Sequence, residues 1–273
     1  MTLARGRRLA FTVATFAALA VVLTFLTLPI VAIFVDTGPG ALLSSLGEES
    51  AREALLLSLK TTSIALALIV GVGTPAAYLV ATRSFRGRAL VVTLIELPLV
   101  LPPAVAGIAL LAAVGPEGIL GGTIEAAGIR LTLATAGVVV ALTFVAAPFY
   151  LRQAIAAFGA VERALLDASR TLGASEARTF LRVMIPTAMP GLVAGGALAL
   201  GRALGEFGAT LMFAGSFQGI TQTVPLAIYD RFATDFDAAL ALSAVLVCVS
   251  AAILLSVKLV RGPDALGGGD ARG

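Results

Sequence analysis

The sequence predicts an all-α integral membrane protein of six transmembrane helices, and three observations predict it. Of 273 residues, 59% are hydrophobic and 13% charged, with a mean hydropathy of +1.02. A soluble domain carries roughly 25% charged residues, so lipid must be the solvent for much of this chain. Six apolar segments, 10–35, 54–82, 89–114, 131–151, 185–213 and 238–260, stand out. Each holds the roughly 20 helical residues that a ~30 Å hydrocarbon core requires. The connections between them alternate in charge.

The elements follow in order. Arg5, Arg7 and Arg8 precede the first segment, which exceeds the apolar region of about 7–15 residues found in a signal peptide. The 36–53 connection holds Asp36, Glu48, Glu49 and Glu53 against Arg52, and the 83–88 connection holds Arg83, Arg86 and Arg88. Glu117, Glu125 and Arg130 lie in 115–130; Arg152, Arg163, Arg170, Arg178 and Arg182 lie in 152–182. Arg231 stands against Asp230, Asp235 and Asp237 in 214–237, and the tail carries Lys258, Arg261 and Arg272. That puts 14 Lys and Arg on one side, 3 on the other and 2 within segments. The positive-inside rule sets both termini in the cytoplasm. One transmembrane domain, 1–273, is expected, with a flexible tail over 262–273.

Composition also excludes. The pI near 9.5 comes from short basic clusters between apolar runs, which is topology and not a nucleic-acid surface. With Cys248 alone and no His, the chain offers no disulfide framework, no metal site and no Ser–His dyad. Neither Lys60 nor Lys258 sits in a phosphate-binding GxxxxGK[ST] loop. No catalytic residue is expected.

The 152–182 connection is more than a linker. Val161, Leu165, Ala168 and Leu172 recur at i, i+4, i+7 and i+11, one face of a helix. Gly173 interrupts, and Ser175 can N-cap a second helix with Glu176 at its positive end. Ala177, Phe180, Leu181 and Met184 form that helix's apolar face before Pro186. Periodicity alone leaves two readings open, a helix lying on lipid headgroups or a docking surface for a partner.

Asp167-Ala168-Ser169-Arg170-Thr171-Leu172-Gly173, followed by Val183, Ile185 and Pro186, resembles the EAA loop of ABC importer permeases. Asp167 stands for Glu, Ser169 for the second Ala and Ile185 for Leu, while the Gly and Pro spacings hold. The resemblance runs over about 55–260, with the loop at 152–185. Ser58-Leu59-Lys60-Thr61-Thr62 looks like the usual start of the permease core, and Glu96-Leu97-Pro98-Leu99-Val100-Leu101-Pro102-Pro103 is similar to the third span of oxyanion permeases. The run from Gly201 to Gly215, with Arg202-Ala203-Leu204-Gly205-Glu206-Phe207-Gly208, followed by Thr221 to Tyr229, resembles molybdate permease subunits. Sulfate and thiosulfate permeases share its first part.

The resemblance implies a type I permease fold with a coupling helix that fits a groove on an ATPase. Val161, Leu165, Asp167, Ala168, Ser169, Leu172 and Gly173 would carry that interface. It implies a homodimer with a second permease copy, two ABC ATPase subunits and an extracytoplasmic oxyanion-binding protein. The chain itself would hold no cofactor, with ATP and Mg on the partner ATPase. The expected place is a bacterial or archaeal cytoplasmic membrane. Molybdate or tungstate is the expected cargo; a sulfate or thiosulfate permease and an ion-coupled secondary carrier are the rivals.

Charged side chains at mid-bilayer cost about 2.5–3.5 kcal/mol each and need partners or a wet cavity. Arg202 and Glu206, at i and i+4, can pair, either as packing or as part of an outer gate. Glu206 is expected near the outer boundary, roughly 30 Å along a span that enters near Pro186. Glu96 is expected about 10 Å into the third span, facing the bundle interior. Pro102 and Pro103, with Pro98, mark irregular backbone that survives in a membrane only inside protein or beside a cavity.

Overall fold

The computed structural model describes residues 2–38, 40, 44 and 47–260. The tail expected to be flexible, 262–273, lies outside the described residues. Every regular element among the described residues is a helix. In chain order they are α1 (Thr2–Asp36), α2 (Glu49–Thr82), α3 (Arg88–Val100), α4 (Pro103–Val114), α5 (Gly121–Ala126) and α6 (Thr135–Gly159). Next come α7 (Arg163–Thr171), α8 (Glu176–Thr179), a π-helical turn (Phe180–Met184), α9 (Ile185–Leu204), α10 (Gly208–Ala214), α11 (Val224–Phe232) and α12 (Phe236–Val260). Five helical stretches are long and apolar enough to cross a membrane, and α3 with α4 make a sixth if that bent pair is one span.

The third predicted span is therefore not straight. Between α3 and α4 the helix direction turns by 120°. Leu101, held extended before a proline (φ −73, ψ 132), ends α3. Pro102 and Pro103 have no N–H to continue the ladder, whereas Pro103 suits the first turn of a new helix. The fifth predicted span is displaced toward the N-terminus, its helical stretch running from Glu176 to Leu204. α9 stops at Gly205, and Glu206 and Phe207 separate it from α10. The fourth runs further, to Gly159, because Arg152 ends no helix and no breaker intervenes across Gln153–Phe158.

Ion pairs identify the two ends of the bundle. Arg83 and Glu176 approach to 3.7 Å, so the connections after α2 and after α7 share one end. Arg231 pairs with Glu48, and the Val224 amide donates to Ser58 Oγ at 2.8 Å, so the start of α2 and the start of α11 lie at the other. These are called the α7 end and the far end. α1 lies on the periphery against α12, its described side chains almost all exposed.

α6 is the hub. One cluster joins it to α2 and α9 through Ala65, Ile69, Ala77, Tyr150, Ala154 and Ala188. A second joins it to α4 and α10 through Ala141, Val145, Ala106, Leu110 and Phe213. Helices in lipid gain no hydrophobic drive from meeting one another, so close van der Waals packing must hold them. Tyr150, 1% exposed, is wedged between α2 and α9. A Cβ at Gly73 would lie 3.1 Å from its ring, and one at Gly195 would lie 3.2 Å from it. The Tyr150 hydroxyl is hydrogen-bonded to Thr74 Oγ1. Lower on the same seam, a Cβ at Gly191 would meet that of Ala157 at 2.4 Å.

Gly191→Val should therefore separate α6 from α9 and lower the thermal stability of the detergent-solubilised protein by about 1–3 kcal/mol or more, the usual cost of overpacking. Gly196→Ala, where nothing lies within 4 Å of an added Cβ, should be neutral. Thermal unfolding of the two variants side by side checks this, and equal effects would refute the proposed seam.

Candidate functional site

At the α7 end the predicted helix–Gly–helix device is present. α7 closes with Leu172, Gly173 takes φ +77, and Ser175 Oγ accepts the Arg178 amide as the N-cap of α8. Gly adopts that φ without strain, and a Cβ there would meet nothing within 4 Å. Leu165, Ala168 and Leu172 are exposed, Leu172 at 87%, and Asp167 is exposed beside them. Val161 (9% exposed) and Ser169 (8%) instead point into the chain. Ser169 Oγ bonds Thr179 Oγ1 at 2.8 Å, fixing α7 to the root of the next span.

Ionic contacts brace the same joint. Glu176 lies 3.1 Å from Arg170 and 3.7 Å from Arg83, and Arg170 lies 3.9 Å from Asp167. These groups are exposed, so each pair contributes at most about 1 kcal/mol. Their effect is to orient α7. Beneath it Tyr78, Phe158 and Phe180 cluster, with ring centres 4.7–6.2 Å apart. A cavity of about 450 Å³ remains between this cluster and α7, lined in part by Gly159, Arg163, Leu166 and Arg170. None of these braces was read from the sequence. The Arg170–Glu176 pair could have been, since a Gly turn between two helices brings them together.

The chain then passes without a break from α8 through the π turn into α9. Ile185 N–H reaches Phe180 O, an i→i−5 bond. Pro186 has no N–H for the Arg182 carbonyl and its ring would crowd that oxygen, which the wider π turn accommodates.

At the far end α9 delivers Arg202 and Glu206. They form the expected ion pair, with side-chain exposures of 26% and 1%. Glu206 itself is enclosed by the chain. It lies beyond the helix, buried, and its Oε1 accepts the Ala209 amide at 2.7 Å, capping α10. α10 packs on α4 so closely that a Cβ at Gly107 would lie 2.6 Å from Met212 Cβ, and one at Gly208 would lie 2.8 Å from Pro103 Cβ. Arg202, Glu206 and Pro103 thus belong to one far-end assembly, with Pro102 and Pro103 themselves exposed. Glu96 stands apart on α3, its Oε1 3.7 Å from Arg152 Nε on α6.

Comparison with known proteins decides the family. Residues 69–262 match the family described as the binding-protein-dependent transport system inner membrane component. The chain belongs to that family. It is a multi-pass permease, a transport subunit and not an enzyme. It is 46% identical over 240 residues to the molybdenum transport system permease protein ModB of Mycobacterium tuberculosis, covering 86% of this chain and 89% of that one. It is 38% identical over 238 residues to a probable molybdenum ABC transporter permease protein of Haloferax volcanii, covering 87% and 86%. Among solved structures, a bacterial ABC transporter involved in import of the acidic polysaccharide alginate superposes with a TM-score of 0.76 over 96% of this permease and 98% of that chain. At 15% identity that likeness is one of fold, the type I ABC importer permease fold.

Arg202→Ala should leave the Glu206 carboxylate buried without its cation, a loss on the order of 3 kcal/mol. The double variant Arg202→Ala/Glu206→Gln should recover part of it. Thermal unfolding of purified single and double variants tests this, and a double variant less stable than Arg202→Ala alone would contradict the pairing.

Proposed function

We propose that this permease forms, as a homodimer, the translocation path of an ATP-driven importer of molybdate or its near-isostere tungstate. The observation that carries the reading is 46% identity over 86% of the chain to a molybdenum transport permease. The run from Gly201 to Gly215 is the segment in which the resemblance to molybdate permeases is most specific. An extracytoplasmic binding protein delivers the tetrahedral anion, and two ATPase subunits carry ATP and Mg. The α7 end faces the cytoplasm, as do both termini. The support for this is charge: the connections after α2 and α6 meet there and are the basic ones.

Coupling follows from α7. The exposed edge of Leu165, Asp167, Ala168 and Leu172 docks on the ATPase, Gly173 lets the chain turn away from that contact, and Val161 and Ser169 anchor the helix from within. ATP binding draws the ATPases together, and the Ser169–Thr179 bond passes α7's displacement to α9. The path then switches from inward- to outward-open. Glu96 lies on the inner part of this path. Pro102, Pro103, Arg202 and Glu206 form the outer gate, where α9, α10 and the bend between α3 and α4 converge. The anion needs only weak sites in such a conduit, since tight ones would slow its release.

Uptake of radiolabelled molybdate into vesicles bearing the reconstituted complex should require ATP and resist excess sulfate. Uptake driven by an ion gradient without ATP would overturn the importer reading, and full competition by sulfate would reassign the cargo. Gly173→Val should uncouple ATP hydrolysis from uptake, because a β-branched residue resists the left-handed region by about 1–2 kcal/mol. Gly173→Asn, which tolerates that region, should retain coupling. Normal uptake by the valine variant would count against the docking role.

A further inference from the structure

We infer that Arg152, paired with Glu96, is a transit contact for the tetrahedral oxyanion on the inner half of the path, a role that rests on the importer reading above. The first observation is depth. α6 has 25 residues, a length of ~37 Å at the helical rise, so centring it on a ~30 Å hydrocarbon core sets the Arg152 backbone roughly 7 Å inside the apolar layer. Glu96 lies eight residues into α3, which begins at Arg88, or ~12 Å from that end of the bundle.

The second observation is exposure. Arg152 is 72% exposed and Glu96 43%. A charged pair at this depth cannot face hydrocarbon, so water or another copy of the protein must cover it. Snorkelling does not remove the difficulty. The Cα–Cβ bonds of α6 tilt toward its N-terminus at the far end, so Arg152 leans toward the bilayer interior and away from the nearer interface. Its exposed neighbours one and two turns on, Ala156 and Gly159, are small. The periphery of α1 that faces outward is instead lined by Leu, Phe and Val. Gly159 also borders the polar cavity under α7. The pair therefore fronts a small-residue track that reaches polar space at the cytoplasmic end.

The third observation is the looseness of the pair. Arg152 approaches Glu96 through Nε alone, at 3.7 Å. Among the described residues its two terminal nitrogens have no hydrogen-bond partner. A guanidinium presents donors in a planar fork that fits two oxygens of a tetrahedral oxyanion. Glu96 holds that fork in place and offsets its charge, so the anion is touched and released.

The test uses the complete importer in phosphatidylcholine vesicles, with molybdate uptake and ATP hydrolysis measured together. Arg152→Gln should lower molybdate carried per ATP hydrolysed about tenfold, the size of one lost charged hydrogen bond, while hydrolysis stimulated by the binding protein stays unchanged. Arg152→Lys, which keeps the charge but loses the fork, should restore only part of the uptake. Glu96→Gln should make the purified complex retain molybdate in equilibrium dialysis. Wild-type uptake by Arg152→Gln overturns the assignment, as does a loss of ATP hydrolysis in step with uptake, which marks a structural role. A phospholipid headgroup offers the same phosphate-like chemistry, so a defect confined to phosphatidylglycerol vesicles assigns Arg152 to lipid and also overturns it. If the wild-type complex carries sulfate and not molybdate, the cargo reading falls while the same variants still test Arg152 with sulfate.

Discussion

Helices dissolved in lipid have nothing to gain from burying apolar surface against each other, so this bundle depends on how closely α6 touches its neighbours. Tyr150 seated on Gly73 and Gly195, and Gly191 against Ala157, give α2, α6 and α9 one shared seam. Through Ala141 and Val145 the same helix reaches α4 and α10. The α7 joint and the far-end Arg202–Glu206 assembly are thus mounted on opposite ends of one packed core. Neither is adjacent to the other, yet both are fixed to α9.

That geometry gives α9 a mechanical role in the proposed transport cycle. A push on the exposed edge of α7 passes through Ser169 and Thr179 into a helical stretch, Glu176–Leu204, that runs 29 residues to the far end. There Glu206 caps α10, which is locked onto α4 just beyond the 120° bend. A displacement of α9 therefore moves the α10–α4 contact directly. The π turn at Phe180–Met184 is the irregular point along this route and lies next to the joint.

Much of this was legible in the sequence. Apolar length and charge alternation gave the spans, the Ser175 cap and the Gly173 turn were read correctly, and so was the Arg202–Glu206 pair. The errors share a cause. The Pro102–Pro103 doublet is legible as irregular backbone but not as a bend, because hydropathy is blind to direction and an apolar run looks the same straight or bent. Arg152 looks like the start of a loop only if a charge ends a helix, whereas α6 runs through it to Gly159. That Glu206 lies beyond the end of α9 and caps α10 is not legible from helical rise, which assumes that α9 continues past Gly205. Tyr150 drew no attention, since a wedge between two glycines on other helices is a three-body contact that no single segment encodes. Val161, Leu165, Ala168 and Leu172 share a helical spacing but not one face, because α7 begins only at Arg163 and Val161, held in the turn from Phe158, is buried while the others are exposed.

The most direct measurement is of α9 itself. A spin label at Gly201, where an added side chain meets open space, can be introduced as Gly201→Cys with Cys248→Ser in the full complex. Pulsed electron resonance then reads the distance between the two copies with and without trapped nucleotide. A distance distribution that shifts on nucleotide trapping is expected, because α7 drives α9. An unchanged distribution, in a complex shown to hydrolyse ATP and carry its anion, would contradict the account.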